Sequence, residues 1–332
     1  DNDATHAPEE LVSAFPTIWD LILRNKQDTN WFDIEKTIEM WVSGFTPEVT
    51  KVSGWCNSLR YTDYPPESDD EIIASYCKVR LSKIDEWISE DNVLTLFTDD
   101  LHLLEKQFAR YLREQTYSSK PLGEQNANYH QTACGNLQTL LSESLPSNPE
   151  QLLSYSVLSF NYTGPFDLPT RESGQCVAYT NIHGLCREGE EIIFGIDGKE
   201  KLTDTIAGPF TKTYRLLGLG GPKAQDVVRS DTQCIKFYGH SLSDADYSYF
   251  QAIFDAVHLY SSDVSLVFFY RCFDEKDPLI HRSEMMNKVI NLLTAYGATL
   301  ENKDHGKNLI HKLLLEGRLS VQEIRFDSQS DN

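Results

Sequence analysis

The sequence predicts an α/β protein: a parallel-sheet core preceded by a large helical region and followed by further helices. Three observations predict it. Apolar residues recur with a 3.6-residue period through the first third. From Leu152 onward, short apolar runs alternate with turns. A helical stretch joins the last two of those runs, the strand–helix–strand order of a parallel core.

Residues 8–115 read as helices. Ile34, Ile38, Trp41 and Val42 keep helical spacing, as do Ile73, Cys77, Ile84, Trp87 and Ile88, and then Leu101, Leu104, Phe108, Tyr111 and Leu112. Asp99 or Asp100 is the expected N-cap of the last of these helices. Pro65-Pro66 marks a loop, and the acidic residues after it suit a helix start or a solvated face. Residues 116–150 are polar, with a short helix expected near 137–141. Strands are expected at 155–160, 175–179, 191–194, 233–238 and 264–270, with a helix at 245–258. The glycine-rich 217–221 reads as a loop, and helical spacing returns at Val289, Leu292, Leu293 and Tyr296, then at Leu309, Leu313 and Leu314. The expected organisation is a mainly helical region over 1–150, an α/β core over 151–275 and C-terminal helices over 276–332. The helical region is either a domain of its own or a large insertion into the α/β one.

The net charge of −20 excludes ready binding to a phosphate backbone, and residues 1–150 alone hold 12 Lys and Arg against 26 Asp and Glu. No basic cluster offsets it, so nucleic acid is not an expected partner. A small anionic ligand remains compatible, because backbone N–H groups at a helix start can hold it. The seven cysteines are scattered and form no C-x-x-C pair, which points to a reducing compartment, the cytoplasm. No apolar run reaches the ~18 residues of a membrane span.

Three segments concentrate chemistry. Asn161, within Phe160-Asn161-Tyr162-Thr163, follows a strand, and its amide can orient a water or a sugar hydroxyl; the plainer reading is a turn-former. His183-Gly184 offers a general base beside a residue that lets the backbone pass close to a ligand. Gly239-His240-Ser241-Leu242-Ser243-Asp244 joins a strand to a helix. It reads either as a nucleotide-holding junction or as a variant G-x-S-x-G elbow with Ser241 as nucleophile. The elbow reading needs an acid such as Asp255 or Asp263 and a His such as His281, His305 or His311. His183 and Cys186 are the one pair with zinc-like spacing, and a zinc site needs four ligands.

Taken in order, these segments resemble the AbiH family of phage abortive-infection proteins. The resemblance extends through Ile193-Phe194-Gly195-Ile196-Asp197 and Phe210-Thr211-Lys212-Thr213-Tyr214-Arg215, with looser elements at Trp31-Phe32-Asp33-Ile34-Glu35 and His305-Gly306-Lys307-Asn308-Leu309. AbiH proteins in turn look like distant relatives of sirtuin-like, NAD-consuming domains. The resemblance implies a Rossmann-like core with a helical insertion, and NAD as substrate. Asn161 would then position water or ribose and His183 would act as base. Tyr162, Thr163, Gly184, Gly239, His240, Ser241 and Asp244 would line the nucleotide site. The implied reaction cleaves the nicotinamide–ribose bond in a cytoplasmic anti-phage effector. A non-catalytic module sensing a nucleotide or a phage protein, and a Ser241 hydrolase, are the alternatives. A phage-derived trigger protein and self-association are the macromolecular partners such a role would involve. Both families open with a strand and a glycine-rich turn, G-N-G-F-D in AbiH; here the first glycine is Gly44, in a helical context, so that motif is either cut from this sequence or lost.

Overall fold

The structure, a computed structural model, describes residues 16–23, 32–58, 69–81, 87–116, 123–143, 154–164, 174–197, 204–219, 227–242, 246–272 and 278–326. Its elements are α1 (Ile18–Leu23), α2 (Phe32–Ser58), α3 (Asp69–Leu81), α4 (Glu90–Thr116), α5 (Gly123–Ser142), β1 (Ser154–Ser159), β2 (Gln175–Asn181), α6 (Lys212–Gly218), β3 (Cys234–Tyr238), α7 (Tyr247–Ala256), β4 (Ser265–Tyr270), α8 (Pro278–Thr299), α9 (Lys303–Leu315) and β5 (Leu319–Glu323). The fold is mixed α/β with parallel sheets. The chain divides into two units, Asp1–Tyr117 with His183–Gly221, and Ser118–Ile182 with Pro222–Asn332.

The first unit is helical. Trp19 anchors its core edge-on to Phe97 at 5.6 Å, and its indole N–H donates to the Phe97 carbonyl. The apolar period of α4 is continuous, so no new helix begins at Asp99 or Asp100. The helix starts ten residues earlier, where Ser89 and Asn92 exchange hydrogen bonds as a reciprocal cap. Asp100 is buried and serves α1 instead, accepting from the Ile18 N–H at 2.7 Å and from Arg80 at 2.9 Å.

The expected strand at 191–194 is a single bridge, Gly184 to Ile192. Side chains take the backbone groups that a ladder would use: the Phe194 N–H donates to Glu105 and the Phe194 carbonyl accepts from Arg215, each at 2.6 Å. Residues 217–218 are the last turn of α6 rather than a loop, because Thr211 caps that helix by accepting from the Tyr214 N–H.

The second unit holds the sheets. β1 and β2 pair in parallel, with an irregularity between Tyr155 and Ser156. β3, β4 and β5 form a second parallel sheet in that order. Alternate residues of β4 face opposite ways. Leu266 and Phe268 pack with Phe254 of α7, Leu293 of α8 and Leu309 of α9. Val267 and Phe269 face the other way, toward Leu140 of α5. Lys236 of β3 donates to the carbonyls of Leu140, Leu141 and Glu143, closing the C-terminus of α5 with a cation as the helix dipole favours. β5 follows helical spacing directly and is not legible as a strand: Leu319-Ser320-Val321-Gln322-Glu323 is half-polar and, among the described residues, is paired only with β4.

Candidate functional site

Of the sequence-predicted residues in the second unit, Asn161, Tyr162, Thr163, Gly239, His240 and Ser241 follow the carboxyl ends of β1 and β3. In parallel α/β sheets this edge is where ligands sit. Phe160, one residue past β1, places its ring 4.6 Å from His240 and 5.5 Å from Phe250. The turns after β1 and β3 therefore meet. Asn161 is exposed there, and its carbonyl accepts from the Asn181 carboxamide at 2.7 Å, so the end of β2 fixes the turn. Tyr162 is buried and Thr163 half-buried.

The turn after β3 is held by its own histidine. The Leu242 N–H donates to His240 Nδ1 at 2.8 Å, which assigns the ring proton of the neutral imidazole to Nε2, 3.2 Å from Asp246 Oδ2. Gly239 and Leu242 both take left-handed backbone, with φ of +70° and +55°. Glycine adopts this freely, whereas Leu242 is strained and is held by burial in the core beside α7. Ser241 is exposed on this turn, and Asp244 lies outside the described residues. The triad expected around Ser241 does not form from Asp255 or His305, since Asp255 accepts from the Tyr296 phenol and His305 stacks on Tyr260.

Between the ends of β3 and β4 and the face of α8 lies a cleft of about 220 Å³. Gly239 and His240 line it together with Arg271, His281, Glu284 and Lys288. Of these four, the sequence points to His281 alone, and only as a partner for Ser241. The missed signal was the strand-end rule applied to β4, because Arg271 follows Tyr270 as Gly239 follows Tyr238. Burial pushes the Tyr238 phenol upward, against the pull of Arg271.

His183 and Gly184 belong to the first unit. His183 is 2 % exposed, and its carbonyl accepts from the Ile193 N–H. Gly184 has φ +87°, and a Cβ there would lie 1.9 Å from the Glu191 carbonyl oxygen, so this turn admits only glycine. The segment that follows is fixed by buried ion pairs. Arg215 forks onto Glu105, with Nη2 2.6 Å from Oε2, and Lys212 reaches Glu35 at 3.0 Å. Burial pushes the Glu105 carboxyl above its ordinary value, while Arg215 and the Phe194 N–H pull it back down. Among the described residues, no group of three or more His, Cys, Asp or Glu is placed to hold a metal ion.

The family model described as "Bacteriophage abortive infection AbiH" matches residues 4–270. The chain belongs to the AbiH family. Phage abortive infection is therefore its functional setting. No curated protein and no solved structure gives a significant match. Two of the AbiH-like elements meet in the first unit, Glu35 of one pairing with Lys212 of the other. The AbiH match ends with β4, so Arg271 and the α8 wall of the cleft lie beyond it. Among the described residues, no helix of this AbiH chain is long and apolar enough to cross a membrane.

Proposed function

We propose that this AbiH chain is an abortive-infection effector that binds NAD at the carboxyl edge of its second unit and hydrolyses the nicotinamide–ribose bond. One observation carries the reading: the Phe160–His240 contact brings the Asn161 turn and the Gly239–Leu242 turn onto one rim. Parallel strands with helices on both faces support a Rossmann-like, distantly sirtuin-like core. Asn161 is the group that positions water or the ribose. Water attacks the anomeric carbon, the bond to the pyridinium nitrogen breaks, nicotinamide leaves neutral, and ADP-ribose and a proton remain. Such a reaction needs a positioned nucleophile more than acid catalysis, because its leaving group departs uncharged.

Incubation of the full chain with NAD, followed by chromatography, tests this. Nicotinamide and ADP-ribose should accumulate, and Asn161→Ala should slow the reaction by about 10²-fold, the usual cost of a misplaced reactant. Asn161 is exposed, so its loss should leave the melting temperature unchanged. An intact NAD pool would remove the hydrolase.

A second reading follows from His240. Both ring nitrogens are engaged inside the turn, which suits a rigid binding element more than a proton carrier. Calorimetric binding of NAD without turnover would select that nucleotide-sensing role, with a phage protein as its trigger.

A further inference from the structure

We propose that the cleft between the ends of β3 and β4 and the face of α8 binds a phosphate-bearing small molecule, with Arg271, Lys288 and His281 as its ligands. This deepens the nucleotide reading by naming the part of the ligand that the cleft takes.

His281, Glu284, Met285 and Lys288 follow helical spacing, so they share one face of α8, and all four line the cleft. Glu284 and Lys288 stand four apart in the order that favours an ion pair, which would make them an ordinary exposed helix pair. They do not pair. Among the described residues, neither the Lys288 ammonium nor the His281 ring makes an ion pair or a hydrogen bond. Arg271 is braced rather than loose. Its guanidinium lies 5.6 Å from the Phe326 ring centre, and Phe326 packs edge-on to Tyr238 at 5.3 Å. A guanidinium is a planar fork of N–H groups, the geometry that matches phosphate oxygens.

Among the described residues, the cleft thus presents two cations and an imidazole against one carboxylate, in a protein of net charge −20. Its walls are Tyr238, Phe269, Tyr270 and Met285, a surface fit for a flat ring attached to the phosphate. Gly239 opens onto it, since a Cβ there would meet nothing within 4 Å. A carboxylate ligand would use the same cations with two oxygens, whereas a phosphate offers three to the three donors.

Calorimetry on the full chain with pyrophosphate, ADP and adenosine tests the assignment. ADP and pyrophosphate should bind, adenosine should bind far more weakly, and affinity should fall as salt rises. Arg271→Gln and Lys288→Gln should each weaken ADP by about tenfold or more, as loss of a charge-assisted hydrogen bond does. Both side chains are exposed, so unchanged melting curves will show that the variants fold. Adenosine binding as tightly as ADP, or ADP binding unmoved by both substitutions, overturns the proposal. The NAD reading fails separately. ADP held through Lys288 in a chain that leaves NAD intact keeps the phosphate site and removes the hydrolase. NAD turnover with an unchanged KM in both variants keeps the hydrolase and removes the phosphate site.

Discussion

Glu105 shows how much of the first unit rests on single side chains. Its carboxylate accepts the Phe194 N–H and both arms of Arg215, with α4 on one side and α6 on the other. Without Arg215 the buried carboxyl would lose its largest downward pull, and its folded pKa would climb further above the unfolded value of about 4.5. A carboxyl whose folded value is raised stabilises the fold fully below the unfolded value and loses that contribution as pH rises through the folded one. Arg215→Ala should therefore destabilise by about 3–5 kcal/mol at pH 7, and by less near pH 4.5, read from urea midpoints at the two pH values. A deficit independent of pH would mean that Glu105 titrates alike in the parent and the variant. None of this was legible in the sequence. Phe194 and Arg215 read as members of family-like segments with no assigned role, and Glu35 lies 177 residues from its partner Lys212. Asn161 was legible, because a polar residue just past an apolar run needs only local pattern to be placed on a rim.

At the scale of elements, the four longest apolar runs of the α/β part became β1 to β4, and the strand at 191–194 did not form. The difference is physical: a run becomes a strand only where a neighbouring strand takes its N–H and C=O groups, and at Phe194 side chains took them first. The α8–α9 hairpin shows what pattern reading leaves out. Its helical spacing is clear in the sequence, yet the pair is set by two glycines. A Cβ on Gly306 would lie 2.0 Å from the Gly297 carbonyl oxygen, so the helices touch backbone to backbone there. Alanine favours a helix over glycine by about 1 kcal/mol, yet Gly306→Ala should be a net loss of about 1–3 kcal/mol, because the clash forces the helices apart. Thermal melting decides between the two effects. A variant as stable as the parent, or more so, would mean that the helices do not cross this closely.

Over the whole molecule, the order of units could not be read along the chain. His183–Gly221 joins the helical unit although it follows β2 directly, because Lys212 and Arg215 find their partners on α2 and α4. Composition spoke more clearly at this scale. A net charge of −20 raises the cost of approach for any polyanion, while a compact ligand needs only the few cations it touches. Proteins that bind duplexes without sequence preference do so at about 10⁻⁴–10⁻⁶ M through many Lys and Arg contacts. Arg271 and Lys288, seated in a cleft of about 220 Å³, are too few to follow a phosphate backbone. The full chain at about 10 µM and 0.15 M salt should therefore leave labelled DNA and RNA duplexes unshifted, while still binding ADP. A duplex retarded at that salt and released as salt rises would relocate the chain's anion recognition from the proposed cleft to an extended surface.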